Sequence, residues 1–268
     1  MVTRMSDVGM VDELVRLLAV DDLDFDRIDT LADRIRSSAD ATLQPVLERH
    51  LADLLDAGNW FGRDEIARLL YELCGLAALP ALLRASARDL GDDQDNLSSW
   101  IVDLFHTDRA AARSAVLDCL ASTEPGVRRL GVWALGFVGE EQDRPLIVEA
   151  AADADPRMRS AALGSLRIPA DDAPDLVAVF EAGVRDPDRQ VRIIAISQLG
   201  WQRREALIPL IASGADDPEP RVREFVAHAL GRIPGRPECS RSVLEKLAGD
   251  QDARVRAAAR TVLGTAGR

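Results

Sequence analysis

Apolar and polar positions along this chain settle into one recurring pattern over its second half. Five segments align without gaps: EPGVRRLGVWALG from Glu124, DPRMRSAALGSLR from Asp155, DRQVRIIAISQLG from Asp188, EPRVREFVAHALG from Glu219 and DARVRAAARTVLG from Asp252. After an arginine, apolar positions recur at steps of two, three, four and seven, the spacing of one helical face, interrupted by Gly131 in the first copy and Arg260 in the last. The arginines are Arg128, Arg159, Arg192, Arg223 and Arg256, spaced 31, 33, 31 and 33 residues apart. An acid stands four residues before each arginine and a leucine seven after it: Leu135, Leu166, Leu199, Leu230 and Leu263. The acid suits a helix N-cap, where its charge also meets the positive end of the helix. Pro125, Pro156 and Pro220 follow the acid at a position whose N–H would be free anyway. A glycine follows the leucine in four of the five copies, Arg167 being the exception, and predicts a helix C-cap.

Between these helices lie shorter amphipathic segments at 143–153, 173–184, 205–215 and 240–250, each too short to be stable alone. The regular copies therefore predict a row of antiparallel helix pairs, each burying its stripe against its neighbours. Upstream the motif blurs but the rhythm persists, with helical segments expected at about 10–20, 26–37, 43–57, 64–74, 78–90, 97–106 and 110–121. Turn signals such as DAGNWFG and LGDDQDN separate several of them, and no alternating run predicts a strand.

The spacing near 32, the acid-x-x-x-Arg helix start and the Leu-Gly end resemble HEAT repeats of the PBS lyase HEAT-like type. An aspartate six residues before the arginine is typical of that family, and Asp153, Asp186, Asp217 and Asp250 occupy the place here; Ser122 departs from it. The resemblance is specific over 122–268 and rhythmic over 1–121. It implies an all-α, right-handed α-solenoid of about eight antiparallel helix pairs, continuous from the divergent segment 1–121 into the regular one. The repeated acids and arginines are then a structural ladder joining adjacent repeats: Arg128, Arg159, Arg192, Arg223 and Arg256 with Asp153, Asp186, Asp217 and Asp250.

Composition narrows the function classes. Aromatic residues make up 4% of the chain, so the core must be built from Ala, Leu, Val and Ile. The net charge is −12 and uneven: 24 acids against 14 bases over 1–134, but 21 against 19 over 135–268. That balance opposes contact with nucleic-acid phosphates, and no basic amphipathic helix argues for a membrane surface. The acidic half suits a basic partner. Cys74, Cys119 and Cys239 have no framework spacing, which predicts reduced, buried thiols. With no signal-type apolar core at the N-terminus, the expectation is a cytoplasmic protein.

Little in the chain promises chemistry. His50, His106 and His228 are isolated, so no metal-ligand spacing exists and no cofactor is expected. Asp22, Asp24 and Asp26 alternate as in a calcium loop, but Arg27 stands where such a loop needs glycine and Asp33 where it needs glutamate. An acidic helix start accounts for them. Two enzyme types built on such repeats stand as alternatives: phycobiliprotein chromophore lyases, on repeat type and length, and alkylpurine DNA glycosylases, for which Trp100 and Asp103 are the matching residue types. The sequence favours a non-catalytic scaffold or adaptor that binds another protein through one face.

In this repeat class the arginine-bearing helix is implied to line the concave face. Positions one, five and nine after the arginine vary freely and supply Arg129, Trp133, Phe137, Ile193, Ser197, Trp201, Glu224, His228 and Arg232. Of these, Arg129, Trp133, Ile193, Trp201, Glu224, His228 and Arg232 are the candidate partner-binding residues, since tryptophan and arginine anchor interfaces. The competing expectation for Trp133, Phe137 and Trp201 is packing between repeats. The NWFG stretch at 59–62 is a second aromatic candidate.

Overall fold

Short polar side chains open the helices where the pattern asks for them. In the computed structural model, which describes residues 6–20, 22–169, 173–235 and 237–264, these residues form sixteen α-helices and no strand. The chain divides into two compact units, Met1–Val138 and Gly139–Arg268.

The first unit holds α1 (Asp7–Leu18), α2 (Phe25–Ser38), α3 (Gln44–Asp56), α4 (Trp60–Cys74), α5 (Leu79–Ser86), α6 (Asp95–Thr107), α7 (Arg109–Leu120) and α8 (Pro125–Val138). Each of the seven helices expected upstream of residue 121 is present. Consecutive helices pair, and the tightest pairs are α3 with α4 and α7 with α8. The repeat becomes regular at residue 122, yet the compact unit extends to Val138, where α8 packs closely on α7. Ser6, Asp24, Asn59 and Asp108 cap α1, α2, α4 and α7 with side-chain oxygens. Asp24, in the stretch that mimics a calcium loop, accepts from Arg27 N at 3.1 Å and so serves as that cap. The stretch Trp60–Ser86 is long and apolar enough to cross a membrane by length and composition. Here it is broken at Gly75, whose φ of +53° a side chain would strain, into α4 and α5.

The second unit holds α9 (Arg144–Ala150), α10 (Pro156–Ser165), α11 (Pro174–Gly183), α12 (Arg189–Trp201), α13 (Ile208–Ala212), α14 (Pro220–Gly231), α15 (Glu238–Leu247) and α16 (Ala253–Gly264). Its packing is led by the motif-bearing helices, α12 on α14, α14 on α16 and α10 on α12, while the intervening helices are short. Asp155, Asp188 and Asp252 make the expected N-cap bonds, at 2.9, 2.7 and 2.8 Å to the N–H two residues on. Glu219 stands at the N-cap of α14 without a side-chain cap bond. Four of the five motif leucines are buried, Leu135, Leu166, Leu199 and Leu230, and Leu263 in the last helix is half-buried.

The glycines after those leucines are not C-caps. None is among the residues with positive φ, which a left-handed cap requires. Close helix packing demands two of them instead, Gly200 and Gly231, while Gly264 faces open space. A Cβ on Gly200 would sit 2.7 Å from the Ala229 Cα, and one on Gly231 would sit 2.8 Å from a Val262 methyl. Where Arg167 replaces the glycine, α10 stops at Ser165 and its end is bound by the next repeat. Gln198 Nε2 donates to Gly164 O and Leu166 O, and Gln202 Oε1 accepts from Ile168 N. The cysteines are also less uniform than expected: Cys119 is buried, Cys74 half-buried and Cys239 exposed.

Candidate partner-binding surface

The ladder has a fixed geometry in the second unit. Arg159, Arg192 and Arg223 each send Nε and Nη2 to both carboxylate oxygens of the aspartate one repeat on: Asp186, Asp217 and Asp250. All six of these bonds lie between 2.7 and 3.0 Å. The remaining nitrogen, Nη1, donates to the carbonyl six residues back in its own repeat, at 2.9 Å from Asp153 O, 2.9 Å from Asp186 O and 2.7 Å from Asp217 O. Arg128 and Arg256 make the same intra-repeat bonds, to Ser122 O and Thr123 O and to Asp250 O and Gln251 O. Each ladder aspartate also accepts from the backbone N–H two residues on, Asp153 from Asp155 N and Asp217 from Glu219 N, which folds the turn that starts the next helix. Ser122, which departs from the family's aspartate, makes the same turn through its hydroxyl to Glu124 N.

Electrostatics follow from this wiring. The Arg223 guanidinium holds the Asp250 carboxyl below its ordinary value, despite partial burial. Burial pushes the Asp186 carboxyl up, but hydrogen bonds from Arg159 and from the Asp188 N–H outweigh it and leave it below the ordinary range. Charged groups so placed stabilise the repeat and are committed to one another.

The sequence pattern misses one rung. Arg63, fully buried, donates through Nη1 and Nη2 to both oxygens of Asp92 at 3.0 and 2.5 Å, and through Nε and Nη2 to Asp64 at 2.9 and 2.7 Å. Asp92 in turn accepts from Gln94 N at 3.1 Å, the turn bond of every other ladder aspartate. Arg63 holds the Asp92 carboxyl below its ordinary value. The signal was present: Asn59 caps the helix four residues before Arg63, and buried Leu70 follows seven after it. Asparagine in place of an acid and Tyr71 in place of glycine concealed it.

The candidate stripe is only partly a surface. Ile193 is buried at 5% exposure and cannot line a docking face. The reason is helical rotation. At about 100° per residue, positions one and nine after the arginine point about 80° apart, so the first turns toward the packed seam. Arg129 is half-buried and the Glu224 side chain is 14% exposed, in keeping with that rotation. Positions five and nine are mixed in the second unit, where Ser197, with its hydroxyl buried, and Arg232 are half-buried. His228 is exposed, and Trp201 is 60% exposed with the Arg232 guanidinium stacked over its ring at 4.2 Å. Glu224 accepts from Arg221 Nη1 at 2.9 Å, while Arg221 lies 4.9 Å over the Phe225 ring and Phe225 meets His228 edge-on at 6.2 Å. Arg221, Phe225, His228 and Arg232 follow at three- and four-residue steps along one face of α14 and its C-cap, and Arg232 joins that stripe to Trp201 of α12.

Trp133 belongs to a different environment in the first unit. It is half-buried, 4.8 Å from Phe137 and 6.4 Å from Phe105 of α6, so packing between repeats claims it. Trp100 and Asp103, the residue types that matched a glycosylase, are also engaged. Trp100 stacks on Tyr71 at 6.1 Å, and the Tyr71 hydroxyl donates to Asp103 at 2.7 Å. Among the described residues no group of three or more His, Cys, Asp or Glu side chains is placed to hold a metal ion.

Comparison with known proteins agrees with the repeat. The family described as HEAT repeats matches residues 96–167 and 174–264, which is more than half of the chain and reaches back to α6. No curated protein sequence matches it. Among solved structures, YibA of E. coli is similar at 18% identity, over 94% of this chain and 92% of its own, with a TM-score of 0.49. Human deoxyhypusine hydroxylase, solved in complex with glycerol, is 17% identical over 82% of this chain and 96% of its own, with a TM-score of 0.32. The Pds5–Scc1 complex gives 12% identity over 96% of this chain and 49% of its own, with a TM-score of 0.45.

Proposed function

The chain belongs to the HEAT-repeat family, and from that premise we propose that it is a non-catalytic scaffold or adaptor whose second unit binds another protein through α12 and α14. The observation that carries this reading is Trp201, a large apolar ring left 60% exposed and steadied by the Arg232 guanidinium at 4.2 Å. Exposed single apolar residues are ordinary, but a tryptophan pre-ordered by an arginine, beside Phe225 and His228, is the composition of an interface anchor. Holding the ring in place before binding lowers the entropy lost on association. The repeat's own charged groups are engaged in the ladder, which leaves these variable positions to carry specificity.

The test is affinity capture on the full chain, with partners identified by mass spectrometry, compared between wild type and Trp201→Ala/Arg232→Ala. A specific partner should be captured by wild type and weakened at least tenfold in the double variant, with circular dichroism unchanged. Equal capture by a folded double variant would remove this surface from the proposal. The Trp133→Ala variant sharpens the result: its ring packs against Phe105 and Phe137, so it should cost stability rather than partner binding.

A further inference from the structure

We propose that the edge of the first unit where α2 and α4 begin docks a basic segment of another protein carrying large apolar side chains. This surface is separate from the patch around Trp201 and does not depend on it. Its apolar part is unusually open: Phe25 is 57% exposed, Trp60 51% and Val20 49%. Phe25 and Trp60 flank the half-buried Phe61, whose ring meets each of theirs edge-on at 5.8 and 6.0 Å. The capping side chain of Asn59 donates to Leu18 O at 2.6 Å, which fixes the start of α4 against the end of α1, two residues before Val20. Scattered apolar residues on a surface need no explanation, but three rings locked edge to edge make a contiguous patch.

The N-cap of α4 does not require these rings. Asn59 makes its cap bond to Gly62 N at 2.8 Å through its own side chain. A packing role would bury Trp60 and Phe25, and both remain more than half exposed. Edge-on contact with Phe61 restrains both rings, which reduces the side-chain freedom lost when a partner covers them.

Charge selects the occupant. Asp22, Asp24, Asp26 and Asp29 are all exposed around Phe25. The nearby cations are already committed: Arg27 pairs with Glu13, Arg88 with Asp56 at 3.2 Å, and Arg63 is buried between Asp64 and Asp92. An aromatic patch rimmed by exposed carboxylates repels an acidic partner, an anionic membrane or a nucleic acid, and attracts lysine and arginine flanking an apolar anchor. A second copy of this chain is disfavoured, since at −12 it brings more negative charge to the same edge.

A dye-labelled amphipathic peptide of leucine and lysine serves as the probe, read by fluorescence anisotropy against the full chain, with a leucine–glutamate peptide of the same spacing beside it. The lysine peptide should bind saturably and the glutamate peptide should not. Phe25→Ser/Trp60→Ala should weaken the lysine peptide at least tenfold. Asp22→Asn/Asp26→Asn, which leaves the Asp24 cap in place, should weaken it at least threefold, and Trp201→Ala should leave it unchanged. Circular dichroism establishes that each variant is folded. The proposal is overturned if both peptides bind alike, if the lysine peptide does not bind, or if a folded Phe25→Ser/Trp60→Ala variant binds as wild type. It is equally overturned if Trp201→Ala abolishes binding, which places the probe on the other patch. Sedimentation showing a wild-type dimer that the Phe25→Ser/Trp60→Ala variant dissolves would also overturn it, by making a second copy the occupant.

Discussion

Four helix pairs make up each unit, yet the two are held together differently. In the second, motif helices lie directly on one another, drawn close by Gly200 and Gly231 and tied by three two-pronged arginine–aspartate bonds. In the first, packing is strongest within pairs, and aromatic rings such as Tyr71, Trp100, Phe105, Trp133 and Phe137 fill the seams where the second has glycine and alanine. There an arginine of the ladder type is bonded across repeats from Arg63 to Asp92, and it is more deeply buried than any in the second. At the corresponding place in α2 stands Ile28, four residues after the Asp24 cap and seven before buried Ile35. The comparison teaches that cap and apolar register specify the helix pair, while the arginine adds a link between pairs that can be replaced by packing.

The largest effect should come from Arg63→Ala. Removing a fully buried cation leaves Asp64 and Asp92 without their partner, a loss of about 3–5 kcal/mol by chemical denaturation. A loss below about 1 kcal/mol would mean that aromatic packing alone holds the first unit. Next is Arg192→Ala, expected to cost about 2–4 kcal/mol, because Asp217 and two carbonyls lose their donors. The Arg192→Ala/Asp217→Ala double variant should lose less than the sum of the singles, as residues in direct contact do. Gly200→Val tests the close approach that sets the second unit apart and should cost about 1–3 kcal/mol through overpacking against Ala229. A neutral result would show that the helices separate easily.

Acid should act on the ladder in a predictable direction. Asp92 and Asp250 are held below the ordinary value of 3.8, so their contribution is complete above that value and is lost as pH falls through the lowered ones. Asp250→Asn should therefore flatten the acid limb of a stability–pH curve, and an unchanged slope would place the acid sensitivity elsewhere. The smallest effect belongs to Arg129→Ala. It is half-buried and off the ladder, and its loss should stay within about 0.5 kcal/mol.

Much of this was legible because repetition makes a weak signal strong. Helix starts and stops recur in register, so every motif helix and every intervening one could be placed from apolar spacing and caps. The ladder aspartates rested on the family resemblance, and three arginine–aspartate bonds in the second unit follow it. What stayed hidden depended on a single copy. Arg63 lost its neighbours' signature when Asn59 and Tyr71 replaced the usual acid and glycine. Variability at Ile193 reads as exposure, whereas rotation along the helix turns that position inward. The motif glycines look like caps because a Leu-Gly ending reads the same whether the constraint is φ or the distance to a neighbouring helix, and at Gly200 and Gly231 the constraint is the distance.

The bonding of each ladder aspartate has a dynamic consequence. Asp217 accepts from Arg192 through its carboxylate, folds its own turn through Glu219 N, and offers its carbonyl to Arg223, which reaches on to Asp250. No single repeat in this run can open without releasing bonds on both sides. Nearest-neighbour coupling of that kind merges local fluctuations into one cooperative block. Amide protons at the starts of α12, α14 and α16 should accordingly exchange with solvent through a common opening event, while those of α2, whose corresponding position is Ile28, should exchange through fluctuations of their own.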